Sequence, residues 1–304
     1  MARLNLQIKV FTYAGDASND RIISGIGFAP DFVMVKGGAN VACIRTKEMI
    51  GDKSVSMSSA LATAADQIQG FTTDGFVLGT SALANAAATT YYGVAIRGNV
   101  AQSYFRTGKY YGTAADSRNY TAGGLNFTPD LVMLFGDTAQ QKVWKSSSMA
   151  GDLAQYFGGV AGSSDRIQNL QSNGWQLGTS SEANGNTLLY FWLAAKVFAG
   201  AIAVGTYAGD GIDGKAISGV GFQPSAIIVK RDGASQGRFA TSDQTANDSQ
   251  FLGASASAAA GIKSITSDGF TVGTDNSVNN ASSTYYWIAF KTGTFILPVT
   301  RLSA

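Results

Sequence analysis

The sequence predicts an all-β protein built from three tandem β-sandwich repeats. Three observations indicate this class. Three sequence motifs, which we call phrases, each occur three times at constant spacing. The apolar runs are short, and Asp-Gly or Asn-Gly pairs separate them. Short alternating runs bounded by turn residues are typical of strands. A repeat of about 95 to 99 residues is too long for a solenoid unit and matches a small domain with its own core.

The first phrase of each repeat introduces a strand through a proline. It reads "GFAPDFVMVK", "NFTPDLVMLF" and "GFQPSAIIVK" in chain order. Its proline is Pro30, Pro129 or Pro224, which are three of the four prolines in the chain. The apolar run that follows each proline is continuous and does not alternate. Such a run predicts a strand that is buried on both faces.

The second phrase predicts a hairpin. It reads "FTTDGFVLGT", "LQSNGWQLGT" and "ITSDGFTVGT". Its last glycine is Gly79, Gly178 or Gly273, which lies 49 residues after the proline in every copy (79−30, 178−129 and 273−224). Apolar and polar residues alternate after the Asp-Gly or Asn-Gly pair. Both residues of that pair tolerate a positive φ, so the pair predicts a tight turn between two strands.

The third phrase predicts a closing strand with two apolar faces. It reads "TYYGVAIR", "LYFWLAAK" and "TYYWIAFK". In the first copy one face carries Tyr92, Val94 and Ile96, and the other carries Tyr91 and Ala95. The strand is therefore either central or covered on its second face by a neighbouring repeat or subunit. The small side chains at Ala95, Ala194 and Ala289 predict the close approach of another backbone.

Each repeat should hold about seven short strands in an antiparallel sandwich or jelly-roll-like domain. The predicted domains are residues 1–101, 102–199 and 200–304. An N-terminal arm (1–9) and a C-terminal arm (293–304) flank the repeats and should add a strand to a neighbour's sheet edge. Alanine favours a helix in the stretch at residues 56–68, but its repeat-3 counterpart "ASASAAAG" lacks an amphipathic stripe, so a loop or one short turn is expected. Equal spacing and short linkers also permit a pseudo-threefold arrangement.

Catalytic residue types are scarce. The chain has no histidine, which excludes Ser-His-Asp and Cys-His catalysis and the usual zinc sites. Many of the acids stand in turn phrases, where short carboxylates accept hydrogen bonds from the backbone. These are Asp16, Asp52, Asp152, Asp210 and Asp268. The sequence therefore predicts that the protein is not an enzyme and has no catalytic residues.

Metal and thiol sites are not expected either. "GDGIDGK" has the look of a calcium loop with Asp210 and Asp213, but its spacing departs from the twelve-residue pattern, so a surface turn is favoured. The single cysteine, Cys43, is flanked by strand residues in "VACIR", which indicates a buried structural thiol. No phosphate-binding loop is present, and no cofactor is predicted.

The charge balance argues against nucleic acid as a partner. The chain has 22 Lys+Arg and 20 Asp+Glu, and each third is close to neutral. Nucleic-acid surfaces are built from stripes of positive charge. No hydrophobic run reaches membrane-spanning length, and the first ten residues lack the apolar core of a signal peptide. A protein made in a cytoplasm without membrane insertion is expected.

The repeat resembles a known family. From Thr206 to Lys291 the order of phrases is similar to a β-sandwich repeat common in virion proteins of tailed bacteriophages. Those repeats carry a Gly-Phe-x-Pro-Asp strand, a Ser-Asp-Gly-Phe hairpin and a closing Tyr-x-Trp-x-Ala strand. This chain departs from that pattern once in each repeat. Ser225 replaces the acid in repeat 3, and Gly93 stands where Trp is expected in repeat 1. In repeat 2 the hairpin sequence is "SNGW" instead of Ser-Asp-Gly-Phe. The resemblance implies a sandwich fold and a structural place on a phage particle, and it brings no catalytic residues.

Two functions follow as expectations. The first is a structural virion protein that decorates or joins the particle, as a head-surface, neck or tail accessory. It would bind other virion proteins through its arms and sandwich edges, and it would be located in the virion after assembly in the host cytoplasm. The alternative is a receptor-binding or glycan-binding, lectin-like module of a tail fibre or spike, with a host surface glycan as partner. The sequence leaves open the site on the particle, the copy number and whether copies of the chain associate.

Aromatic side chains are the candidates for such contacts, since sugar C–H faces stack on rings. They are Trp192 and Trp287, with Tyr91, Tyr190 and Tyr285 on the same strands. Their alternating strands favour core packing over exposure. Trp144 differs, because it stands in the polar context "QQKVWKSSS". It is the candidate for an exposed contact with a partner.

Overall fold

The fold is all-β, as the sequence predicts. A computed structural model of the chain describes residues 5–98 and 104–296. Repeat 1 forms β1 (Asn5–Ala14), β2 (Arg21–Ile23), β3 (Phe32–Gly37), β4 (Cys43–Thr46), β5 (Val55–Ser56), β6 (Ile68–Thr72), β7 (Gly75–Leu78), the single helical turn α1 (Ala82–Asn85) and β8 (Thr90–Arg97). The expected loop at residues 56–68 is confirmed, apart from its ends, which belong to β5 and β6.

The other two repeats form the same series of strands. Repeat 2 forms β9 (Phe105–Tyr111), β10 (Arg118–Thr121), β11 (Leu131–Gly136), β12 (Val143–Ser146), β13 (Gln155–Tyr156), β14 (Ile167–Gln171), β15 (Gly174–Leu177) and β16 (Leu189–Ala195). Repeat 3 forms β17 (Ile202–Ala208), β18 (Lys215–Ile217), β19 (Ala226–Arg231), β20 (Arg238–Thr241), β21 (Gln250–Phe251), β22 (Ile262–Thr266), β23 (Gly269–Val272), α2 (Asn276–Asn279), β24 (Thr284–Phe290) and β25 (Gly293–Ile296). Each repeat thus has eight strands, where about seven were expected, and β25 is additional.

Each third of the chain pairs these strands in the same order. The large sheets are β1-β8-β3-β4-β5, β9-β16-β11-β12-β13 and β17-β24-β19-β20-β21. The three-stranded sheets are β2-β7-β6, β10-β15-β14 and β18-β23-β22. The predicted hairpin is present in each three-stranded sheet, for example where Thr72 pairs with Gly75. The boundary predicted at residues 101/102 lies outside the described residues, and the division into three domains stays a prediction.

The strand after each proline is buried on both faces, as predicted. In β3 all six residues are buried. Val33 and Val35 face the interior of the sandwich formed with the small sheet. Phe32 and Met34 face the opposite way, into a cluster that extends beyond repeat 1. The closing strand β8 also contributes to both clusters: Ala95 faces the sandwich interior, and Val94 and Ile96 face the cluster that extends beyond repeat 1. The second face of β8 is therefore covered by neighbouring repeats.

A fourth apolar cluster joins the three repeats. Each sandwich has an interior cluster of its own. The fourth, which we call the shared core, combines residues from all three large sheets, among them Ile96, Leu193 and Ile288, each fully buried. The rings of Phe32 and Phe135 stack across repeats 1 and 2 with centroids 6.4 Å apart. Each repeat therefore has the core expected for it, but the three repeats are not independent, because the second apolar face of every large sheet packs in the shared core.

Backbone hydrogen bonds connect every pair of repeats. The amide of Ala42 donates to the carbonyl of Leu252 (2.9 Å), which joins repeats 1 and 3. Gly237 donates to Phe157 (3.0 Å) between repeats 3 and 2, and Thr63 donates to Asp137 (3.3 Å) between repeats 1 and 2. The contacts thus form a closed cycle rather than a row.

Three lysines are fully buried beside these junctions. Lys36 Nζ donates to the carbonyls of Gly38 (2.5 Å) and, across the junction, Ser255 (3.3 Å). Lys142 Nζ donates to Gln140 and, across the junction, Leu61, both at 2.5 Å. Lys230 Nζ donates to two carbonyls of its own repeat, those of Arg231 and Gly233. Burial lowers the pKa of each of the three ammonium groups to about 8.

The described parts of the two terminal arms bind each other. Strand β25 pairs antiparallel with β1, from Asn5↔Ile296 to Ile8↔Gly293. Leu6 and Ile8 are buried in the shared core. Residues 293–296 thus extend the sheet of repeat 1 by one strand, and the addition of a strand to another subunit stays a prediction. The remaining arm residues, 1–4 and 297–304, lie outside the described residues.

We expect the repeats to unfold together, since the shared core belongs to all of them. Replacing Ile228, which lies in the shared core, by alanine should lower the free energy of unfolding by about 2–5 kcal/mol. Ile227→Ala is the matched control on the opposite face of β19, inside the repeat-3 sandwich. Scanning calorimetry should show one transition for the wild type and for both variants. Separate transitions, of which only one shifts, would contradict a shared core.

Stability should rise with pH between pH 8 and 10.5 because of the buried lysines. The pKa of Lys142 is about 8 in the folded protein, below its ordinary value of 10.5. In this window the unfolded chain holds a proton that the folded chain has released, so raising the pH favours folding. Urea unfolding of the wild type and of Lys142→Met should give a difference in free energy that increases with pH. Lys230→Met should give the same slope, and a difference that stays flat with pH would refute the assignment.

Candidate binding clefts

Two clefts open at equivalent positions of repeats 2 and 3. The repeat-2 cleft has a volume of about 470 Å³ and the repeat-3 cleft about 450 Å³. Each lies between the proline segment, the end of the fourth strand of the repeat (β12 or β20) and the first strand of the hairpin (β14 or β22). Each is therefore at the proline end of its sandwich, where the two sheets separate.

The proline segment forms one wall of each cleft and is fixed by hydrogen bonds. The residue after the proline donates its amide to a carbonyl at the end of the closing strand: Asp31 to Ile96 (2.8 Å), Asp130 to Ala195 (2.8 Å) and Ser225 to Phe290 (2.7 Å). The side chain of the same residue accepts from the chain leaving that strand, at Gly98 (2.8 Å), Val197 (2.9 Å) and Thr292 (3.0 Å). Pro30, Pro129 and Pro224 are all buried and mark equivalent surroundings. Ser225 thus performs the same role as the acid that it replaces.

The glycine landmarks mark a close backbone approach. A Cβ on Gly79, Gly178 or Gly273 would lie 2.4 to 2.6 Å from a carbonyl oxygen of the preceding loop, at Asp66, Asp165 and Ala260 respectively. Real Cβ atoms do not come so near to backbone, so only glycine fits. Ala95, Ala194 and Ala289 are fully buried in the sandwich interiors. The backbone approach expected at these alanines stays a prediction.

The repeat-3 cleft contains buried polar atoms that have no hydrogen-bond partner among the described residues. Thr241 is 3% exposed and its Oγ1 is unpartnered. Its backbone amide donates to Gln244 Oε1 (2.7 Å), while Gln244 Nε2 is unpartnered. Buried polar atoms are normally hydrogen-bonded. Both of these side chains line the cleft, which makes it polar on this side.

The repeat-2 cleft has a similar set of groups. Gln168 donates through Nε2 to Asp116 Oδ1 (2.9 Å), and its buried Oε1 has no partner within the described ranges. Lys145 Nζ donates to the carbonyls of Gly151 and Leu153, both at 2.7 Å. Burial lowers the pKa of Lys145 to about 8. Its charge is therefore neutralised in part by carbonyl oxygens of its own turn.

The equivalent place in repeat 1 holds larger side chains. Lys47 Nζ pairs with Asp31 Oδ1 at 3.0 Å. The Arg45 guanidinium lies over the Phe71 ring, 5.9 Å from its centroid. Strand pairing aligns Arg45, Lys47 and Phe71 with Lys145, Ser147 and Leu170 in repeat 2 and with Ala240, Ser242 and Ile265 in repeat 3. At all three positions the side chain of repeat 1 is larger than its counterparts in repeats 2 and 3.

The tryptophans considered as partner or glycan contacts all lie in the interior, which corrects the expectation of an exposed contact for Trp144. Trp144 is fully buried in the shared core, where its ring stacks on Phe157 with centroids 5.8 Å apart. Its polar sequence neighbours misled the prediction, because every position of β12 is buried, including Lys145. Trp192 and Trp287 are 2% and 5% exposed and fill sandwich interiors, as the core interpretation favoured. None of these indole rings is available to an external ligand.

The three tyrosines on the closing strands are structural as well. Tyr91, Tyr190 and Tyr285 are fully buried, and each hydroxyl both donates to and accepts from the backbone of the segment that precedes its strand. Each ring also stacks on a tyrosine of the first strand of its repeat, with centroids 5.0 to 5.2 Å apart. Their hydrogen bonds fix the position of the segment at residues 82–86 and of the equivalent segments at 181–185 and 276–280.

A cross-strand exchange explains the glycine where tryptophan was expected. Gly93 pairs with Phe11, while Trp192 pairs with Gly108 and Trp287 with Gly205. A Cβ on any of these glycines would lie 2.1 to 2.4 Å from the ring opposite. One large ring therefore fills the same space in every repeat, supplied by either strand. The sequence signal for this was the reciprocal placement of glycine and an aromatic residue.

The carboxylates and the thiol have the structural roles predicted for them. Asp268 accepts from the amides of Gly219 (2.9 Å) and Gly221 (2.7 Å), which lowers its pKa. The other turn aspartates, Asp16, Asp52, Asp152 and Asp210, each accept from a backbone amide too. Burial raises the pKa of the Cys43 thiol to about 12.

The suggested calcium loop is held by two separate ion pairs. Asp210 pairs with Lys215 (2.9 Å) and Asp213 with Lys263 (2.7 Å). Within residues 5–98 and 104–296 no cysteine or acidic side chains are grouped in threes as a metal site would require. Among those residues, no helix has the length and apolar character needed to span a membrane.

Comparison with known proteins finds no family model and no curated protein that matches this chain. The likeness to phage sandwich repeats therefore rests on the quoted motifs. The clefts at Pro129 and Pro224 are the candidate sites that the geometry itself indicates.

The position after the proline should require an oxygen acceptor rather than a charge. Ser225→Ala should lower the free energy of unfolding by about 0.5–1.5 kcal/mol, because the Thr292 amide loses its acceptor. Ser225→Asp should change it by less than about 0.5 kcal/mol, as should Asp130→Ser in repeat 2. Urea titrations would measure all three variants. Equal losses for Ser225→Ala and Ser225→Asp would count against this role.

Proposed function

We propose that the protein is a structural component of a tailed-bacteriophage virion that decorates or joins the particle through protein–protein contacts. The observation that carries the proposal is the closed cycle of three large sheets around the shared core. It gives one chain three similar lobes held in fixed relation. A rigid body of this kind is suited to a structural protein that connects other proteins. The resemblance of the motifs to phage repeats supports a place in the virion.

Exposed apolar side chains at the junction of repeats 1 and 2 support a contact with a partner protein. Ile50 and Tyr111 are 75% and 62% exposed. With Leu189 they line a depression of about 270 Å³ that also contains Lys53 and Lys109. Apolar groups rimmed by charged ones are typical of protein–protein interfaces. The partners proposed are other virion proteins of the capsid, neck or tail.

The hydrogen bonds and ion pairs of the turn carboxylates favour a non-catalytic role. Each turn carboxylate accepts from a backbone amide, and Asp210 and Asp213 also pair with lysines. We therefore propose that the protein is not an enzyme. Its proposed location is the virion, after assembly in the host cytoplasm.

The protein should be present in purified particles at a fixed copy number. Quantitative mass spectrometry of particles, with imaging of labelled protein, measures both copy number and location. Copies in the hundreds on the head surface, or a fixed smaller number at the neck or tail, would support the proposal. Absence from purified particles would overturn it.

Incorporation should depend on the apolar junction. Ile50→Asp should leave the melting temperature nearly unchanged, because the side chain is largely exposed, and should reduce incorporation at least several-fold. Ile212→Asp, at a side chain that is 66% exposed in repeat 3, is the matched control and should incorporate normally. Equal incorporation of both variants would exclude this junction as the contact.

A second candidate function is glycan binding by a lectin-like module of a tail fibre or spike. The observation that favours it is the pair of clefts in repeats 2 and 3, which present hydroxyl and amide groups beside apolar ones. Binding of the purified protein to an array of host surface glycans tests this candidate.

A further inference from the structure

We propose that the repeat-2 and repeat-3 clefts are two carbohydrate-binding sites, each for one sugar ring of an uncharged glycan, and that repeat 1 has no such site. The inference rests on the glycan-binding candidate and is independent of the assembly role. It names the residues that bind, whereas the aromatic rings first considered for this role are buried.

The size and chemistry of the clefts fit a small polyol. Volumes of about 450 and 470 Å³ fall within the range of small-molecule sites, roughly 300–1,000 Å³. Sugar hydroxyls both donate and accept, as do the serine and threonine hydroxyls and side-chain amides that line the clefts. In repeat 3 these include Thr241, Ser242 and Gln244, and in repeat 2 Ser147, Gln168 and Asn169.

Unpartnered polar atoms mark where sugar hydroxyls bind. Thr241 Oγ1 and Gln244 Nε2 offer a hydroxyl and a donor in the repeat-3 cleft. Gln168 Oε1 offers an acceptor in the repeat-2 cleft. All three atoms have almost no accessible surface and no partner among the described residues, so a small rotation of the Thr241, Gln244 or Gln168 side chain accompanies the binding of a sugar hydroxyl. A ligand hydroxyl at this position satisfies groups that the fold leaves unpaired.

Apolar residues also line each cleft. They are Pro224, Ile262 and Ile265 in repeat 3 and Pro129, Met149 and Leu170 in repeat 2. The C–H face of a sugar ring packs on such a surface without the stacking that an aromatic ring would add. Each site should therefore bind weakly, with millimolar dissociation constants. Two sites on one chain raise the avidity for a repeating glycan.

The charges favour an uncharged ligand. Lys263 pairs with Asp213, and Lys145 donates to two carbonyls of its own turn. Asp130 and Asp248 also border the clefts and would repel an acidic sugar. Lys291 also lines the repeat-3 cleft, where Lys263 and Lys291 are balanced by Asp213 and Asp248, and Lys145 in the repeat-2 cleft is balanced by Asp130, so neither cleft has an excess of positive charge for an anionic group.

Repeat 1 provides the internal control. There Lys47 pairs with Asp31, and Arg45 lies over Phe71, in the place that the clefts occupy in the other repeats. Ser147 and Asp130 stand at the positions of Lys47 and Asp31 in repeat 2. Ser147→Lys should therefore close the repeat-2 cleft by the pairing that repeat 1 already uses.

Nuclear magnetic resonance with ¹⁵N-labelled protein tests the proposal. Glucose, galactose, mannose and N-acetylglucosamine are titrated separately to tens of millimolar. At least one should shift the amides of residues 146–151 and 241–246 and leave residues 46–51 unchanged. Ser147→Lys should weaken binding in repeat 2 at least tenfold and leave repeat 3 intact. Ser242→Trp should fill the repeat-3 cleft, weaken binding there at least tenfold and leave binding in repeat 2 intact. Binding at the unmodified cleft shows that each variant is folded.

Three outcomes would overturn the inference. The first is that no sugar shifts either cleft, and the second is that residues 46–51 shift equally. The third is that the double variant Ser147→Lys/Ser242→Trp still binds a glycan array as the wild type does, in which case the protein binds glycans elsewhere. The inference is supported if the wild type binds the array and the double variant does not. If the wild type itself does not bind the array, both the glycan-binding candidate and this inference are excluded.

Discussion

The structure depends on burying the second face of three large sheets in one shared core. A sandwich covers only the face that its small sheet reaches, yet the central strands of each large sheet are apolar on both faces. Fully burying one large apolar side chain contributes about 1.5–3 kcal/mol. The shared core contains many such side chains from all three repeats, so the closed cycle is the arrangement in which each large sheet covers the others. Strand β25 pairs with β1 and adds Phe295 beside this core.

The three repeats keep the same filled volumes while they change the residues that fill them. The ring opposite a glycine comes from Phe11 in the first strand of repeat 1 and from Trp192 in the closing strand of repeat 2. The buried ammonium comes from Lys36 in β3, but in repeat 2 Phe135 takes that position and Lys142 supplies the charge. Because the paired positions face each other in the sheet, an exchange between them preserves packing and hydrogen bonding.

The clefts arise from the same common frame by a change in side-chain size. The hydrogen bonds after Pro30, Pro129 and Pro224 fix one wall identically in each repeat. At the positions beside this wall repeat 1 has Arg45, Lys47 and Phe71, repeat 2 has Lys145, Ser147 and Leu170, and repeat 3 has Ala240, Ser242 and Ile265. The shared core holds the three repeats together, and the proline ends of the sandwiches are where the repeats differ in side-chain size.

Local sequence patterns predicted the strands, the turns and the two-faced burial of β3, β8 and their counterparts, because alternation, Asp-Gly pairs and proline act over a few neighbouring residues. The structural roles of Cys43 and of the turn aspartates were predicted in the same way. Long-range packing, in contrast, places the second faces in one core, pairs residues 5–8 with 293–296 and buries Trp144. Burial at such positions is set by segments far away in the chain, and a cleft exists only where facing side chains from separate strands are both small. Neither condition can be read from local pattern.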